Sequence, residues 1–379
     1  MGQKLNYSLF SLHLIFFVSM SSGIFAGTHV STDSILVSAD GPYVWYQDDG
    51  STRIITVNSQ GELKDTIYQV LPDDFVLSVT SSKGEYSFKV PLHSIERPSW
   101  KYEQPKKVFV MSDPHGRLDC FISLLQGNGV IDENLNWNYG ANHLMIIGDI
   151  FDRGDDVTQI FWLVYKLEQE AALAGGCVSF LLGNHEPMVL ANDLRYCTPK
   201  YHALAERLGI PYSQLFGDNT ELGRWLATRN TMQIIGKDLY VHAGLSEEFY
   251  KWNLSIPTVN EEISRALFMG KKERKVLSEL TAFLYGNSGP IWYRGLVRNK
   301  EKYNPISGER LKQTLKRYKV KRIIVGHTIF DDVSTFYDKK VIDVNVNNVK
   351  NRDQGLGRGL LIENNRYLIV GDDGIQRKL

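Results

Sequence analysis

Cysteine is scarce in this chain: Cys120, Cys177 and Cys197 are three in 379 residues, an odd set with no Cys-x-x-Cys pair, so they do not form a zinc site by themselves. Cys120 and Cys177 lie in apolar segments and read as small packed hydrophobes rather than disulfide partners. None of the three is followed by an Arg-terminated loop that could cradle an oxyanion, which argues against a thiol nucleophile. An excess of charge of either sign is also missing, with 43 basic against 43 acidic residues. No global field therefore points to nucleic acid or to an acidic membrane surface. Internal repeats and low-complexity tracts are absent as well. Hydrophobic content of 43% and charged content of 23% are ordinary for a globular protein.

What is present begins at the first residues. Lys4 precedes an apolar stretch from Leu9 to Met20, then Ser21-Ser22-Gly23 and Ile24-Phe25-Ala26. A positive start, an apolar run of roughly a dozen residues and a small residue at the end describe a secretory signal peptide. A spanning helix needs about 20 apolar residues, so no stable membrane anchor is expected. With no Cys near Ala26, a lipoprotein anchor is not expected either. Residues 1–26 are read as the signal peptide, and the protein is expected to be exported, periplasmic or secreted. Loss of Lys4 alone leaves the remainder close to neutral.

Residues 27–103 read as a small antiparallel β module. Ser34–Ser38, Tyr43–Tyr46, Arg53–Val57, Phe75–Thr80 and Tyr86–Val90 are rich in Val, Ile, Tyr and Phe. Turn signals such as Asp48-Asp49-Gly50 and Lys83-Gly84 separate them. The module holds no catalytic constellation and is expected to support or to make protein contacts. Pro98 to Pro105 is the expected linker.

From residue 104 to 379 strands alternate with helices. Lys107–Met111, His143–Ile147 and Cys177–Leu182 read as strands; Arg117–Leu125 and Asp156–Leu173 read as helices, and another helix starts at Pro187 and runs to Tyr196. This is an α/β layout with helices on the sheet faces. Residues 197–230 and 246–285 read as a helical, polar insertion that roofs the site. The last third returns to strands, and the hairpins at Tyr337–Lys340 and Glu363–Asn365 are expected in the second sheet of a β-sandwich.

Five short runs sit at the ends of apolar strands: Asp113-Pro-His115, Gly148-Asp149-Ile-Phe-Asp152-Arg153-Gly154, Gly183-Asn184-His185-Glu186, His242-Ala-Gly244 and Gly326-His327-Thr328. Open α/β sheets place ligand sites at such carboxyl ends. A single Asp or His at a strand end is usually a cap or a satisfied polar group. Five runs in succession supply hard oxygen and borderline nitrogen donors instead. Asp149 reads as a bridging carboxylate, since its two oxygens can hold two cations about 3.5–4 Å apart.

These runs resemble the calcineurin-like metallophosphoesterases, and within them the phosphoprotein phosphatases. GDIFDRG and GNHE are close to the signatures of that group, over about residues 107–350. LLGNHE, HAGLS and Gly289-Pro-Ile-Trp-Tyr293-Arg294-Gly295 look more like the bacterial, Shewanella-like branch, which includes exported protein-tyrosine phosphatases. The fold implied is α/β: a four-layer metallophosphoesterase β-sandwich flanked by helices, with a small N-terminal all-β module. The resemblance assigns Asp113, His115 and Asp149 to a first divalent cation. Asp149, Asn184, His242 and His327 then hold a second, with Mn, Fe or Zn as candidate metals. The last motif is Gly-His-Thr where many members of the superfamily have Gly-His-x-His, leaving the first cation three protein ligands.

The implied reaction is hydrolysis of a phosphate monoester by in-line attack of a hydroxide held between the cations. Arg153 and Arg294 are expected to grip the phosphate, since a guanidinium binds two oxygens at once. Arg195, about two helical turns past Pro187, is a further substrate-binding candidate. His185 is expected to protonate the leaving group, with Asp152 orienting it and keeping it charged. Glu186 reads as a structural cap or pair. His93, His143 and His202 read as structural or surface residues, and Lys271–Lys275 as a solvated basic face, with attraction of phosphorylated or acidic substrates as the alternative. Phosphorylated proteins or peptides are the expected partners, phosphotyrosine ahead of phosphoserine and phosphothreonine, with no nucleic acid. A dinucleoside polyphosphatase or nucleotide phosphatase is the alternative enzyme. A non-catalytic binding protein is the reading from another class, and the completeness of the constellation speaks against it.

Overall fold

A computed structural model describes residues 38–72 and 74–379. The expected signal peptide and nearly all of the expected strand Ser34–Ser38 lie outside the described residues. Five strands open the described residues: β1 (Asp40–Tyr46), β2 (Thr52–Val57), β3 (Leu63–Tyr68), β4 (Val76–Thr80) and β5 (Ser87–Pro91). The first three form an antiparallel sheet and the last two a hairpin. In β4 and β5 the residues alternate between buried and facing outward, so each strand buries one face. The expected linker is itself paired: β6 (Lys101–Tyr102) runs parallel to a strand of the main sheets.

The α/β layout starts at β7 (Lys107–Met111). It continues through α1 (Leu118–Gly127), β8 (His143–Ile147), α2 (Val157–Leu173), β9 (Cys177–Leu181) and α3 (His185–Leu190). Strands β7, β8 and β9 are parallel, as helical crossovers require. The helical segment holds α4 (Pro199–Leu208), α5 (Glu221–Ala227), then β10 (Met232–Ile235) and β11 (Asp238–Val241). It resumes with α6 (Glu247–Trp252), α7 (Ile256–Arg265), α8 (Lys271–Leu277), α9 (Glu279–Leu284) and α10 (Gly308–Tyr318). The chain closes with β12 (Arg322–Val325), β13 (Ser334–Phe336), β14 (Val341–Asp343), α11 (Asn348–Asp353), β15 (Gly359–Glu363), β16 (Arg366–Val370) and β17 (Gln376–Lys378). No helix among the described residues is long and apolar enough to cross a membrane.

Two six-stranded sheets result, one in the order β13-β14-β12-β11-β10-β6 and the other β17-β16-β15-β7-β8-β9. Their facing sides form one core: Val108, Val110, Met145 and Ile147 from the second sheet meet Ile235, Tyr240, Ile324 and Ile342 from the first. Each aliphatic side chain buried there contributes about 1.5–3 kcal/mol. Helices cover the outer faces, α2 on β9 and α7 on β10. The expected metallophosphoesterase sandwich is therefore present. One expectation changes. The hairpin around Tyr337–Lys340 lies, as expected, in the sheet opposite β7, β8 and β9, but the hairpin at Glu363–Asn365 joins the sheet of β7 itself, because β15 pairs antiparallel with β7, Leu360 opposite Val110.

Helix α2 explains how the β module is held. Ile160, Phe161, Trp162, Leu163, Val164 and Tyr165 are all fully buried. A helix apolar all round needs cover on every side, and here β9 supplies one side and the module another. Trp162 Nε1 donates to Pro42 O at 2.8 Å, Gln159 Nε2 to Thr80 O at 3.0 Å, and His93 stacks on the Tyr165 ring.

Candidate metal centre

Every expected ligand lies just past the carboxyl end of a strand: Asp113 and His115 after β7, Asp149 after β8, Asn184 after β9, His242 after β11, His327 after β12. Both sheets thus aim at one point. The local backbone is unusual. Asp113, His115, Asp149, Asp152, Arg153 and His327 have φ between 46° and 73°, a region that costs a non-glycine residue energy and that clusters at functional sites. Backbone bonds hold the bends, with Asp113 N donating to Gly148 O at 3.1 Å and His115 N to Asp149 O at 3.0 Å. The motif glycines leave room for them. A Cβ on Gly183 would run into the Asp149 carboxylate, and one on Gly326 into Ser112 and Asp113.

The six expected ligands converge, none more than 8% exposed. His115 Nε2 lies 3.9 Å from both Asp113 Oδ1 and Asp149 Oδ2. His242 Nε2 lies 3.2 Å from Asp149 Oδ2 and 3.1 Å from Asn184 Oδ1. Asp149, His242 and His327 form one cluster of mutually close donor atoms; His115, Asp149 and His185 form another, so Asp149 is common to both.

The donor set fits divalent cations. His115 Nδ1–H donates to Phe151 O at 2.8 Å and His242 Nδ1–H to Ile147 O at 2.9 Å. That arrangement frees Nε2 as a lone-pair donor, the usual support for a ligating histidine. His115 Nε2 and His327 Nε2 are buried with no hydrogen-bond partner among the described residues, a costly state unless something binds them. Burial lowers both imidazoles, His115 to about 3, so both are neutral. Asp113 and Asp149 are buried without a Lys or Arg partner among the described residues. Burial and the charge of Asp149 push Asp113 up to about 6. Burial alone would lower His242, but Asp149 outweighs it and pushes the imidazole up to about 9. Two enclosed carboxylates demand positive charge here.

His185 stands beside the ligands. Its Nδ1 meets Asp152 Oδ2 at 2.5 Å, and its Nε2 lies 3.9 Å from Asp149 Oδ2. Burial disfavours charge on the ring, but Asp149 and Asp152 outweigh it and raise its pKa. Glu186, fully buried, accepts the N–H groups of Gly183 at 2.7 Å, Ile150 at 2.8 Å and Asp149 at 3.1 Å, which is the structural role expected of it. Arg153 is exposed, with Nη2 3.4 Å from His185 Nε2. Arg294 Nη1 donates to His327 O at 3.2 Å and Thr328 Oγ1 at 3.1 Å, which fixes the guanidinium plane beside the cluster.

Some expectations shift. The helix after Asn184 ends at Leu190 rather than reaching Tyr196. Asn192 takes a left-handed φ of 61° and the chain turns away. Arg195 therefore sits on a turn, its side chain 66% exposed and paired with Asp193 at 2.7 Å. Nor is Lys271–Lys275 simply a solvated face. Arg274 within it is buried, donating to Ala266 O at 3.0 Å, Leu267 O at 2.6 Å and Pro187 O at 3.1 Å.

Sequence reading missed Cys197, whose thiol donates to Asp152 Oδ1 at 3.1 Å on the side away from His185. Burial and Asp152 both push that thiol up, so it stays protonated. It also missed Tyr196, whose ring is tilted against His185 and lies within cation–π reach of Arg153 and Arg195, and Trp292, edge-on to His327. The adjacent Trp-Tyr-Arg-Gly segment was the one available signal for Trp292.

Residues 106–330 match the family described as Calcineurin-like phosphoesterase. Among solved structures, the chain is similar to the cold-active protein-tyrosine phosphatase of a psychrophilic Shewanella species. The two are 33% identical with a TM-score of 0.80, over 90% of this chain and 99% of the other. Shewanella-like protein phosphatase 2 of Arabidopsis thaliana is 26% identical over 68% of this chain and 75% of its own. An uncharacterized protein of Schizosaccharomyces pombe, C1840.07c, is 30% identical over 69% of this chain and 75% of its own.

Proposed function

The chain belongs to the calcineurin-like phosphoesterase family, and on that premise we propose that it is a metal-dependent phosphomonoesterase acting on phosphoproteins, phosphotyrosine ahead of phosphoserine and phosphothreonine. The observation that carries the reading is the pair of buried donor clusters sharing Asp149. The likeness to a protein-tyrosine phosphatase over most of both chains supports the phosphoprotein substrate.

Asp113, His115 and Asp149 would hold one cation; Asp149, Asn184, His242 and His327 would hold the other. When bound, the two cations supply Lewis acidity and lower the pKa of water toward neutrality. The chain's own groups do the rest. Ile147 and Phe151 carbonyls hold the ligand imidazoles in the tautomer that presents Nε2. Arg294, with Nη1 already anchored, has its other edge to donate to phosphoryl oxygens, and Arg153 approaches from the solvent side. His185 Nε2 carries the proton for the leaving oxygen. Asp152 orients the ring through Nδ1 and stabilises its charge. Cys197 occupies the second oxygen of Asp152, so that carboxylate has one orientation.

Export belongs to the same proposal and is supported by residues 1–26 alone; amino-terminal sequencing of protein recovered outside the cytoplasm tests it. For the activity, the purified protein with Mn²⁺ is assayed on p-nitrophenyl phosphate and on matched phosphotyrosine, phosphoserine and phosphothreonine peptides. Metal-dependent phosphate release, fastest from phosphotyrosine, is expected. A protein that binds no metal and releases no phosphate would overturn the enzyme reading, and faster release from phosphoserine would overturn the preference.

A further inference from the structure

Beside the metal centre lies a second feature, a cavity of about 510 Å³ that opens next to Asn184. Its wall is made by Pro187 and Met188 of α3, by α8 and by Trp292. It is larger than one phosphorylated side chain requires and falls within the roughly 300–1,000 Å³ of typical ligand pockets. Its charge contrasts with the neutral chain: Arg195, Lys271, Arg274 and Lys275 line it against the single carboxylate of Asp193.

Arg195 is paired with Asp193 at 2.7 Å, but among the described residues Lys271, Arg274 and Lys275 have no acidic partner. Lys271 and Lys275 are exposed, one helical turn apart on the same face of α8. The one acid on α8, Glu273, is turned back to cap the Gly270 N–H at 2.6 Å. Beneath them Arg274 spends its donors on the carbonyls of Ala266, Leu267 and Pro187, with no carboxylate in contact among the described residues, and lies over the Tyr285 ring. A buried guanidinium bonded only to carbonyls keeps its full charge and projects it into the cavity. Its bond to Pro187 O also ties this wall to α3, the helix that begins at His185.

We propose that this cavity is a specificity subsite that binds acidic residues flanking the phosphorylated side chain of a peptide substrate. The inference rests on the phosphatase reading. A phosphate seated at the metal centre leaves the neighbouring residues of the peptide against α8, where Asp or Glu meets Lys271 and Lys275. Met188 and Trp292 give the peptide backbone and its methylenes an apolar wall.

The test uses one phosphotyrosine peptide in two forms, flanked by Glu or by Ala, with p-nitrophenyl phosphate as a check on the chemistry. The wild-type protein should show a kcat/KM about tenfold higher for the Glu form, chiefly through KM, and the advantage should shrink as salt rises. In the double variant Lys271→Glu, Lys275→Glu the Glu-to-Ala ratio should fall to one or below, while Lys271→Arg, Lys275→Arg should keep it. Equal kcat/KM for the two peptides in a wild-type protein that hydrolyses p-nitrophenyl phosphate overturns the subsite alone. A preference that survives the charge reversal overturns it too. Silence on p-nitrophenyl phosphate with Mn²⁺ overturns the phosphatase reading and the subsite together.

Discussion

At the centre of this protein Asp113, His115, Asp149, Asn184, His242 and His327 are each no more than 8% exposed. A few residues along the same loops, Arg153 and Arg195 stand in solvent and Tyr196 is 46% exposed. The inner set is fixed several times over, by strand ends, left-handed backbone, carbonyl-anchored imidazoles and glycines that admit no side chain. The outer set hangs on turns and a short helix, held by single ion pairs and ring contacts. This division matches two tasks. On the proposed reading, the centre holds donor atoms for the cations, whereas the rim meets the substrate.

The largest effect is expected at the shared carboxylate. Asp149→Asn removes a charge that both clusters use, and steady-state assay with Mn²⁺ should show turnover reduced by about a thousandfold or more. A variant within tenfold of the wild type would break the distinction between centre and rim. Next comes His185→Asn, for which the loss of general acid catalysis predicts a kcat about 10²–10⁴-fold lower. The loss should be smaller for p-nitrophenyl phosphate, whose leaving group needs less protonation, than for a phosphotyrosine peptide, and equal losses for the two would contradict the acid role.

Arg294→Ala and Arg153→Ala probe the boundary. Each removes charge-assisted hydrogen bonds worth about 1.5–3 kcal/mol, so kcat/KM should fall about 10–100-fold. Gly183→Ala tests the packing of the centre itself, because its Cβ would press on Asp149. Calorimetry should find it less stable by about 1–3 kcal/mol. The smallest effect belongs to Arg195→Ala. Its exposed pair with Asp193 is worth at most about 1 kcal/mol, so stability should be unchanged and kcat/KM should move by less than about fivefold.

The same division governs what could be read before the structure. The convergence of the six candidate ligands was legible because each follows an apolar strand and a strand end fixes where the next residue points. Asp149 as the shared carboxylate, the placement of His185 against Asp152 and the structural role of Glu186 all follow from that. Three features were not legible. Left-handed φ at Asp113, His115 and Asp149 has no signature in the residue types. The partner of the hairpin at Glu363–Asn365 is β7, some 250 residues earlier, and nothing in the hairpin names it. On the rim, the expected helix to Tyr196 failed at Asn192, where a single left-handed residue redirects the chain. Arg274 looked like part of a solvated run because its acceptors are backbone carbonyls, which any sequence provides.

Two roles compete for His185, because its ring also lies in a cluster with His115 and Asp149 that could ligate a cation. The proposed function makes it the acid, held by Asp152 through Nδ1. The direct test is the metal content of His185→Asn, measured by elemental analysis after dialysis beside the wild type. About two equivalents per chain in both proteins, with turnover lost only in the variant, is the predicted result. Loss of one equivalent from the variant would make His185 a ligand and contradict the assignment.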